Sequence, residues 1–158
     1  MNLKKWKPYI ISAIIALVVG TLSGLLSMEG MKIYEAAVTK PALTPPGWLF
    51  PVVWTGLYAL MGISAAKIWL TPESLGRSKG LNLYVAQLIV NFFWSLIFFN
   101  LQAFGFAAIW LLLLWGLVAL MILEFYKIDK KAAILQIPYL IWLTFAAYLN
   151  IAVWILNK

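Results

Sequence analysis

Long apolar runs separated by short polar segments dominate the chain. Each run has 18 to 25 residues, the length that an α-helix needs to cross about 30 Å of hydrocarbon. The runs are Tyr9–Leu26, Trp48–Leu70, Leu81–Leu101, Phe104–Phe125 and Ala132–Leu156. Because lipid offers no partner to a free backbone group, five such runs predict an all-α membrane protein, a bundle of five transmembrane helices. We expect the bundle to form a single domain over residues 1–158.

The composition supports this class and removes several kinds of chemistry. Hydrophobic residues make up 65% of the chain and charged residues 11%, against about 25% charged in ordinary globular proteins. There is no cysteine and no histidine, which excludes thiolate nucleophiles, zinc sites and the usual haem ligands. We therefore expect no metal and no bound cofactor.

The net charge of +7 is explained by membrane orientation, without a nucleic acid partner. If the spans alternate in direction, nine of the twelve basic residues fall on one side. These are Lys4, Lys5, Lys7, Lys67, Arg77, Lys79, Lys127, Lys130 and Lys131. The other side receives Lys32, Lys40 and Lys158. The asymmetry predicts a multi-pass protein of the cell (inner) membrane with its amino terminus cytoplasmic and its carboxyl terminus outside.

The first run has an alternative interpretation as a cleaved signal peptide. Basic residues precede it and the small residues Ser23, Gly24 and Ser27 lie near its end. Its apolar part is longer than the usual signal sequence, and Gly20 with Gly24 forms a small-xxx-small pattern suited to helix packing.

The first loop, about Ser27–Pro46, is longer than most connections, and its apolar content favours a packed lid over a solvated tether. After it, Thr44 is predicted to cap the second span, with Pro45 at the first helical position. Pro51 is expected to loosen or kink the first turns around Gly47.

The remaining loops are short. Phe104–Gly105 is predicted to separate the third and fourth spans, which would then form a tight antiparallel hairpin.

The interior of the predicted bundle is aromatic and amide in character. No Asp or Glu lies centrally in a span, and Lys67 is near enough to an end to snorkel, which argues against a proton-coupled exporter. Three helix faces at i, i+3 and i+4 spacing carry large rings and amides. They are Trp54, Tyr58, Met61 and Ala65; Gln87, Asn91, Trp94 and Phe98; and Tyr139, Trp142, Ala146 and Asn150.

These faces have two interpretations. Buried amides often serve only to join neighbouring helices. Apolar cavities with a few placed polar groups are the usual form of a small-molecule site. The cavity is favoured because large rings and an amide occur together within the spans, at Trp54, Asn91, Trp94 and Trp142.

Three stretches on three spans resemble the TspO/MBR family, which includes bacterial tryptophan-rich sensory proteins and the mitochondrial translocator protein. They are KPALTPPGWLFPVVWTGLYALMG at Lys40–Gly62, QLIVNFFWSLIFF at Gln87–Phe99 and PYLIWLTFAAYLN at Pro138–Asn150. Their order and spacing match the family, and the similarity covers nearly the whole chain.

The resemblance implies a five-helix bundle, often a homodimer, with a pocket beneath the first loop. Family ligands include porphyrins such as protoporphyrin IX, cholesterol in animal members, and synthetic isoquinoline carboxamides and benzodiazepines. By similarity, Pro45, Phe50, Trp54, Tyr58, Asn91, Trp94, Trp142 and Ala146 would line the pocket; the third face adds Tyr139 and Asn150 as candidates. Trp54 and Trp142 match tryptophans implicated in light-dependent porphyrin breakdown, which makes them the candidate catalytic residues.

Two departures from the family pattern fall in the first loop. The chain reads Ile33-Tyr34-Glu35 where many members have Trp-Tyr-Asp, and Ala42-Leu43 where an aromatic often follows Lys-Pro. The leading hypothesis is a membrane receptor for a flat hydrophobic ligand, most simply a tetrapyrrole. A light-dependent porphyrin-degrading enzyme and a transporter of tetrapyrroles or sterols stay open as alternatives.

Overall fold

The computed structural model describes residues 2–158, which form six α-helices joined by short connections. The helices are α1 (Leu3–Leu26), α2 (Met28–Ala37), α3 (Leu49–Trp69), α4 (Leu75–Ser95), α5 (Phe104–Ile128) and α6 (Lys130–Leu156). A π-helical turn, Leu96–Asn100, continues α4. All of the helices except α2 are long and apolar enough to cross a membrane. The predicted all-α bundle of five spans is therefore confirmed.

The spans extend further than the apolar runs. α1 begins at Leu3 where the run begins at Tyr9, and α4 begins at Leu75 where the run begins at Leu81. Hydropathy marks only the part of a helix that suits hydrocarbon, while the backbone hydrogen bonds continue into polar residues beyond it. The start of α4 is fixed by Ser74, whose side chain accepts a hydrogen bond of 3.1 Å from the Arg77 backbone N–H.

The packing of α3 and α5 holds the bundle together. α3 lies against α1 and α6, while α5 lies against α4 and α6. At the crossing of α1 and α3, a Cβ on Gly62 would collide with the Cα of Ala13, so only glycine allows this close approach. The fully buried side chains of Met61, Leu114 and Leu143 fill the centre.

The first apolar run packs as an integral part of the bundle. Ala16 has no exposed surface, and the Ser23 hydroxyl donates a 2.9 Å hydrogen bond to the Phe92 carbonyl of α4. The hydroxyls of Ser27 and Ser95 lie 2.8 Å apart. The two serines near the end of the run therefore bond this part of the chain to α4.

The predicted position of the turn between the third and fourth spans is wrong. Phe104 and Gly105 begin α5, and the chain reverses at Leu101–Ala103, where Gln102 has φ of 50°. Glycine marks turns because it tolerates positive φ, but it also permits close contacts. Gly105 permits a close contact and does not make the turn, because a Cβ there would lie 2.8 Å from Nε1 of Trp154. The expected antiparallel hairpin forms all the same, with α4 packed against α5.

The predicted start of the second span is also wrong. Thr44 does not cap a helix; its backbone N–H and its hydroxyl both donate to the Pro41 carbonyl, at 3.1 and 2.7 Å, and close a turn. α3 begins only at Leu49. Pro51 is its third residue, where a helix leaves the backbone N–H without a partner in any case, so Pro51 removes no helical hydrogen bond there.

The first connection is packed, and half of it is helical. α2 follows α1 after one residue, and its Tyr34 ring lies 5.4 Å from Phe98 and 5.3 Å from Phe99. A Cβ on Gly30 would lie 2.6 Å from the Phe99 backbone, and the Asn100 side chain donates to the Leu26 carbonyl at 2.8 Å. α2 therefore rests on the π-helical turn. Movement of this segment as a lid stays a prediction.

Charged side chains gather at the opposite end of the bundle. Asp129 lies in the turn between α5 and α6, and its carboxylate is 3.2 Å from the ammonium of Lys67. Lys67, which was predicted only to extend toward the membrane surface, therefore also forms an ion pair. Glu124 accepts from both Lys79 and Lys127 at 2.9 Å. The side of the membrane that this end faces stays a prediction from charge bias.

Candidate ligand-binding site

A cavity of about 620 Å³ lies at the end of the bundle that carries α2, between α1, α3, α4 and α6. Nine of the ten sequence-predicted site residues line it. They are Pro45, Phe50, Trp54, Tyr58, Asn91, Trp94, Trp142, Ala146 and Asn150. The volume falls within the roughly 300–1,000 Å³ that is common for small-molecule sites.

Aromatic rings from α3 and α6 form one wall of the cavity. Trp54 and Tyr58 are one helical turn apart on α3, with ring centroids separated by 5.6 Å. Trp142 on α6 meets Trp54 at 6.5 Å and at right angles, and it also meets Phe50 edge-on at 5.8 Å. These edge-to-face contacts hold the rings in fixed orientations, so the wall is preformed.

Tyr139 lies beneath this wall, off the cavity surface. Its ring is 6.2 Å from Trp54, its hydroxyl donates to Oε1 of Gln87 at 2.7 Å, and Nδ2 of Asn91 donates to that hydroxyl at 2.7 Å. Nε2 of Gln87 lies 3.8 Å from the Met61 sulfur. The sequence-predicted residue Tyr139 thus supports the cavity by positioning Asn91.

Trp94 and Asn150 close the cavity on the α4 side. Nε1 of Trp94 donates to Oδ1 of Asn150 at 3.1 Å, and Nδ2 of Asn150 donates to the Phe104 carbonyl at 2.8 Å. Trp94 also stacks on Phe98 at 5.2 Å. The amide of Asn150 therefore joins three helices as well as lining the cavity, so both interpretations of the amide positions apply to it.

The indole N–H of Trp142 differs from that of Trp94. Among residues 2–158 it has no hydrogen-bond partner, although it is buried and its side chain lines the cavity. A buried donor without a partner costs free energy.

Sequence reasoning missed the contribution of α1 to the cavity. Gly20 and Gly24 line it, and the small-xxx-small pattern had indicated only helix packing. A Cβ on Gly20 would collide with the Tyr58 ring, whereas one on Gly24 would meet nothing within 4 Å. Gly20 therefore makes room for a wall residue, and Gly24 leaves open space. Whether a glycine packs against another helix or lines a cavity depends on which residues surround it in the fold. The spacing of glycines along the sequence does not predict this.

A pocket beneath the first loop was expected, but the loop residues that line its mouth were not among the candidates. Tyr34, Glu35 and Lys40 line it. Partial burial, and then the neighbouring Glu35 carboxylate, raise the pKa of the Tyr34 phenol above its ordinary value, so it stays protonated at neutral pH.

The sequence matches a known protein family over most of its length. The model of the TspO/MBR family matches residues 12–155. The chain belongs to the TspO/MBR family. All three stretches that carried the resemblance lie inside the matched region, and each contributes lining residues to the cavity.

Relatives of this TspO/MBR chain occur in bacteria and in animals. It is 35% identical over 144 residues to the tryptophan-rich protein TspO of Chlorobaculum tepidum, covering 90% of this chain and 91% of the relative. It is 40% identical over 122 residues to protein CrtK of Rhodobacter capsulatus, covering 77% and 76%. It is 38% identical over 130 residues to the translocator protein of Bos taurus, covering 80% and 75%.

Proposed function

We propose that this chain is an integral membrane receptor or sensor that binds a flat hydrophobic ligand, a porphyrin such as protoporphyrin IX or a related tetrapyrrole. The observation that carries the proposal is the preformed aromatic cavity of about 620 Å³. The family membership and the relatives named as sensory and translocator proteins support the same class.

The lining suits a conjugated ring system. Trp54, Phe50 and Trp142 offer ring faces and edges, and aromatic contacts contribute about 0.5–1.5 kcal/mol each beyond burial. A ligand of roughly 40 heavy atoms at about −0.3 kcal/mol per atom reaches about −12 kcal/mol, which allows nanomolar to micromolar binding.

The test is quenching of tryptophan fluorescence by protoporphyrin IX in wild type, Trp142→Phe and Trp6→Phe. Trp6 is exposed and lies on α1 outside the cavity, so its variant controls for the loss of one fluorophore. We expect saturable quenching in wild type and Trp6→Phe and weaker binding in Trp142→Phe. Equally tight quenching in all three proteins would remove Trp142 from the site, and quenching that never saturates would refute the receptor.

A second candidate function is light-dependent porphyrin breakdown with dioxygen as the oxidant. The contact between Trp54 and Trp142 favours it, because indole is readily oxidised and the chain has no cysteine or histidine to compete. Illumination of the complex, followed by porphyrin absorbance, separates it from simple binding. Loss of absorbance no faster than that of free porphyrin in detergent would refute the enzyme.

Sterols and isoquinoline or benzodiazepine compounds are further ligands that we propose for the same cavity, on the strength of its apolar lining. Facilitated passage of a tetrapyrrole or sterol is the transport alternative. Flux into liposomes containing the protein, compared with protein-free liposomes, decides whether passage occurs.

We further propose a homodimer in the cell (inner) membrane with the amino terminus cytoplasmic. The family resemblance supports the dimer, and the nine-to-three distribution of basic residues supports the orientation. Chemical cross-linking in native membranes tests the first, and protease accessibility of each terminus in sealed vesicles tests the second.

A further inference from the structure

The mouth of the cavity carries two charged residues. Within the described chain, Glu35 of α2 and Lys40 in the connection to α3 are the charged members of the lining. Neither makes an ion pair with any residue in 2–158. The remaining lining is neutral, so these two side chains decide which charge the site accepts at its entrance.

Lys40 is positioned to bind an anion. Its Nζ donates a 2.9 Å hydrogen bond to the Glu35 carbonyl and lies 5.1 Å from the centroid of the Tyr34 ring. These two contacts fix the ammonium at the mouth. An ammonium has three donors, so two remain for a ligand.

Glu35 is less suited to attract a cation there. Its carboxylate lies close to Gly47, since a Cβ on that glycine would be 2.8 Å from Oε1. The side chain is exposed, whereas Lys40 is half-buried against Tyr34. Water screens the exposed charge more than the half-buried one, so Lys40 has the stronger field at the mouth.

We propose that Lys40 binds a carboxylate on the edge of the ligand, and that the cavity therefore binds a planar tetrapyrrole with free acidic groups more tightly than the same ring without them. This inference rests on the proposed receptor function and names the class of its ligand. The apolar body of the ligand lies against Trp54 and Trp142, and the acid lies at the mouth, where it stays hydrated. Charge-assisted hydrogen bonds of this kind are about twice as strong as neutral ones.

The experiment compares protoporphyrin IX with its dimethyl ester, which has the same ring without the two acids. Binding of each is measured by tryptophan quenching at pH 7.4 in nanodiscs of neutral phosphatidylcholine, where carboxylic acids are ionised in water. The proteins are wild type, Lys40→Gln, Lys40→Arg, Glu35→Gln and Lys32→Gln. Lys32 is the matched control, because it is exposed in the same segment, pairs with Glu29 and does not line the cavity.

We expect wild type to bind the diacid about tenfold more tightly than the ester, the preference that corresponds to one charge-assisted contact. Lys40→Gln removes the preference by weakening the diacid alone, and Lys40→Arg retains most of it. Glu35→Gln increases the preference, because a repelling carboxylate is gone, and Lys32→Gln leaves it unchanged.

The inference and the receptor fail in different ways. If wild type binds both compounds saturably with equal affinity, or if Lys40→Gln weakens both equally or favours the diacid, acid recognition by Lys40 is overturned while the receptor stands. If wild type saturates with neither compound, the proposed function itself is overturned.

Discussion

Asn157 and Thr39 pair through two hydrogen bonds, although they are 118 residues apart. Nδ2 of Asn157 donates to the Thr39 carbonyl at 2.8 Å, and the Thr39 N–H donates to Oδ1 of Asn157 at 2.9 Å. The pairing fastens the segment over the cavity to the residue that follows α6. It therefore couples the mouth of the site to the end of the last span.

Removing this pair loosens the segment. In Asn157→Leu we expect the Thr39 amide to exchange its hydrogen roughly fivefold faster, since the loss of a hydrogen bond with a net worth of about 1 kcal/mol changes an opening equilibrium by about that factor. Hydrogen exchange measured by mass spectrometry over residues 38–48 checks this. Asn157→Asp is the control, because it keeps the Oδ1 acceptor for Thr39 and should retain part of the protection. Unchanged exchange in Asn157→Leu would show that the pair does not hold the segment.

The hydroxyl of Tyr139 stabilises the floor of the site. Tyr139→Phe removes the hydroxyl that bonds Nδ2 of Asn91 and Oε1 of Gln87, so we expect a loss of about 1–3 kcal/mol in the free energy of unfolding. Tyr148→Phe, on the exposed side of the same helix, should change it by less than about 0.5 kcal/mol. Thermal unfolding in detergent measures both variants. Equal stability of the two would mean that the hydroxyl network contributes nothing.

Gly20 and Gly24 should respond differently to the same substitution. Both changes to alanine gain helix propensity, but the new Cβ of Gly20→Ala collides with Tyr58 and should cost about 1–3 kcal/mol. Gly24→Ala meets nothing, so its stability should stay at or above that of wild type while the methyl group narrows the cavity and weakens ligand binding. Unfolding and ligand titration of the two variants check this, and similar stabilities would contradict the packing described for Gly20.

Asp129 predicts a dependence of stability on acid pH. Burial raises the pKa of its carboxyl, but hydrogen bonds from the Ala132 backbone and from Lys67 outweigh this and hold the pKa below its ordinary value of 3.8. A carboxyl with a lowered folded pKa stabilises the protein fully above its unfolded pKa, and this stability is lost as the pH falls through the folded pKa. As the pH is lowered past about 4, we expect the unfolding temperature of wild type to decrease. The decrease should be smaller in Asp129→Asn.

The control for Asp129 is Glu73→Gln, because Glu73 is nearly fully exposed and its ion pair with Arg77 is long, at 3.7 Å. Its acid dependence should match that of wild type. If Asp129→Asn also matched wild type, the ion pair with Lys67 would have no part in acid stability.

The sequence predicts features that repeat along a helix, such as a buried face. It does not predict features that depend on contacts between helices. The α3 face of Trp54, Tyr58, Met61 and Ala65 follows from 3.6-residue periodicity, and it is half-buried or buried as expected. The turn at Gln102 could not be predicted, because its positive φ falls on a residue without a turn signal.

The lining from α1 and the pair between Thr39 and Asn157 could not be predicted either. Both depend on which helices meet in the folded bundle, and no local pattern encodes that. The late start of α3 has a similar cause, because the Thr44 hydroxyl donates to the Pro41 carbonyl and closes a local turn instead of accepting a hydrogen bond from a helix N–H as a cap would.

The most direct test of the central claim is a structure of the protein bound to protoporphyrin IX in a lipid bilayer. The account predicts one macrocycle per chain inside the cavity, in contact with Trp54 and Trp142. Density for the porphyrin only on the outer surface of the bundle, with the cavity unchanged, would contradict it.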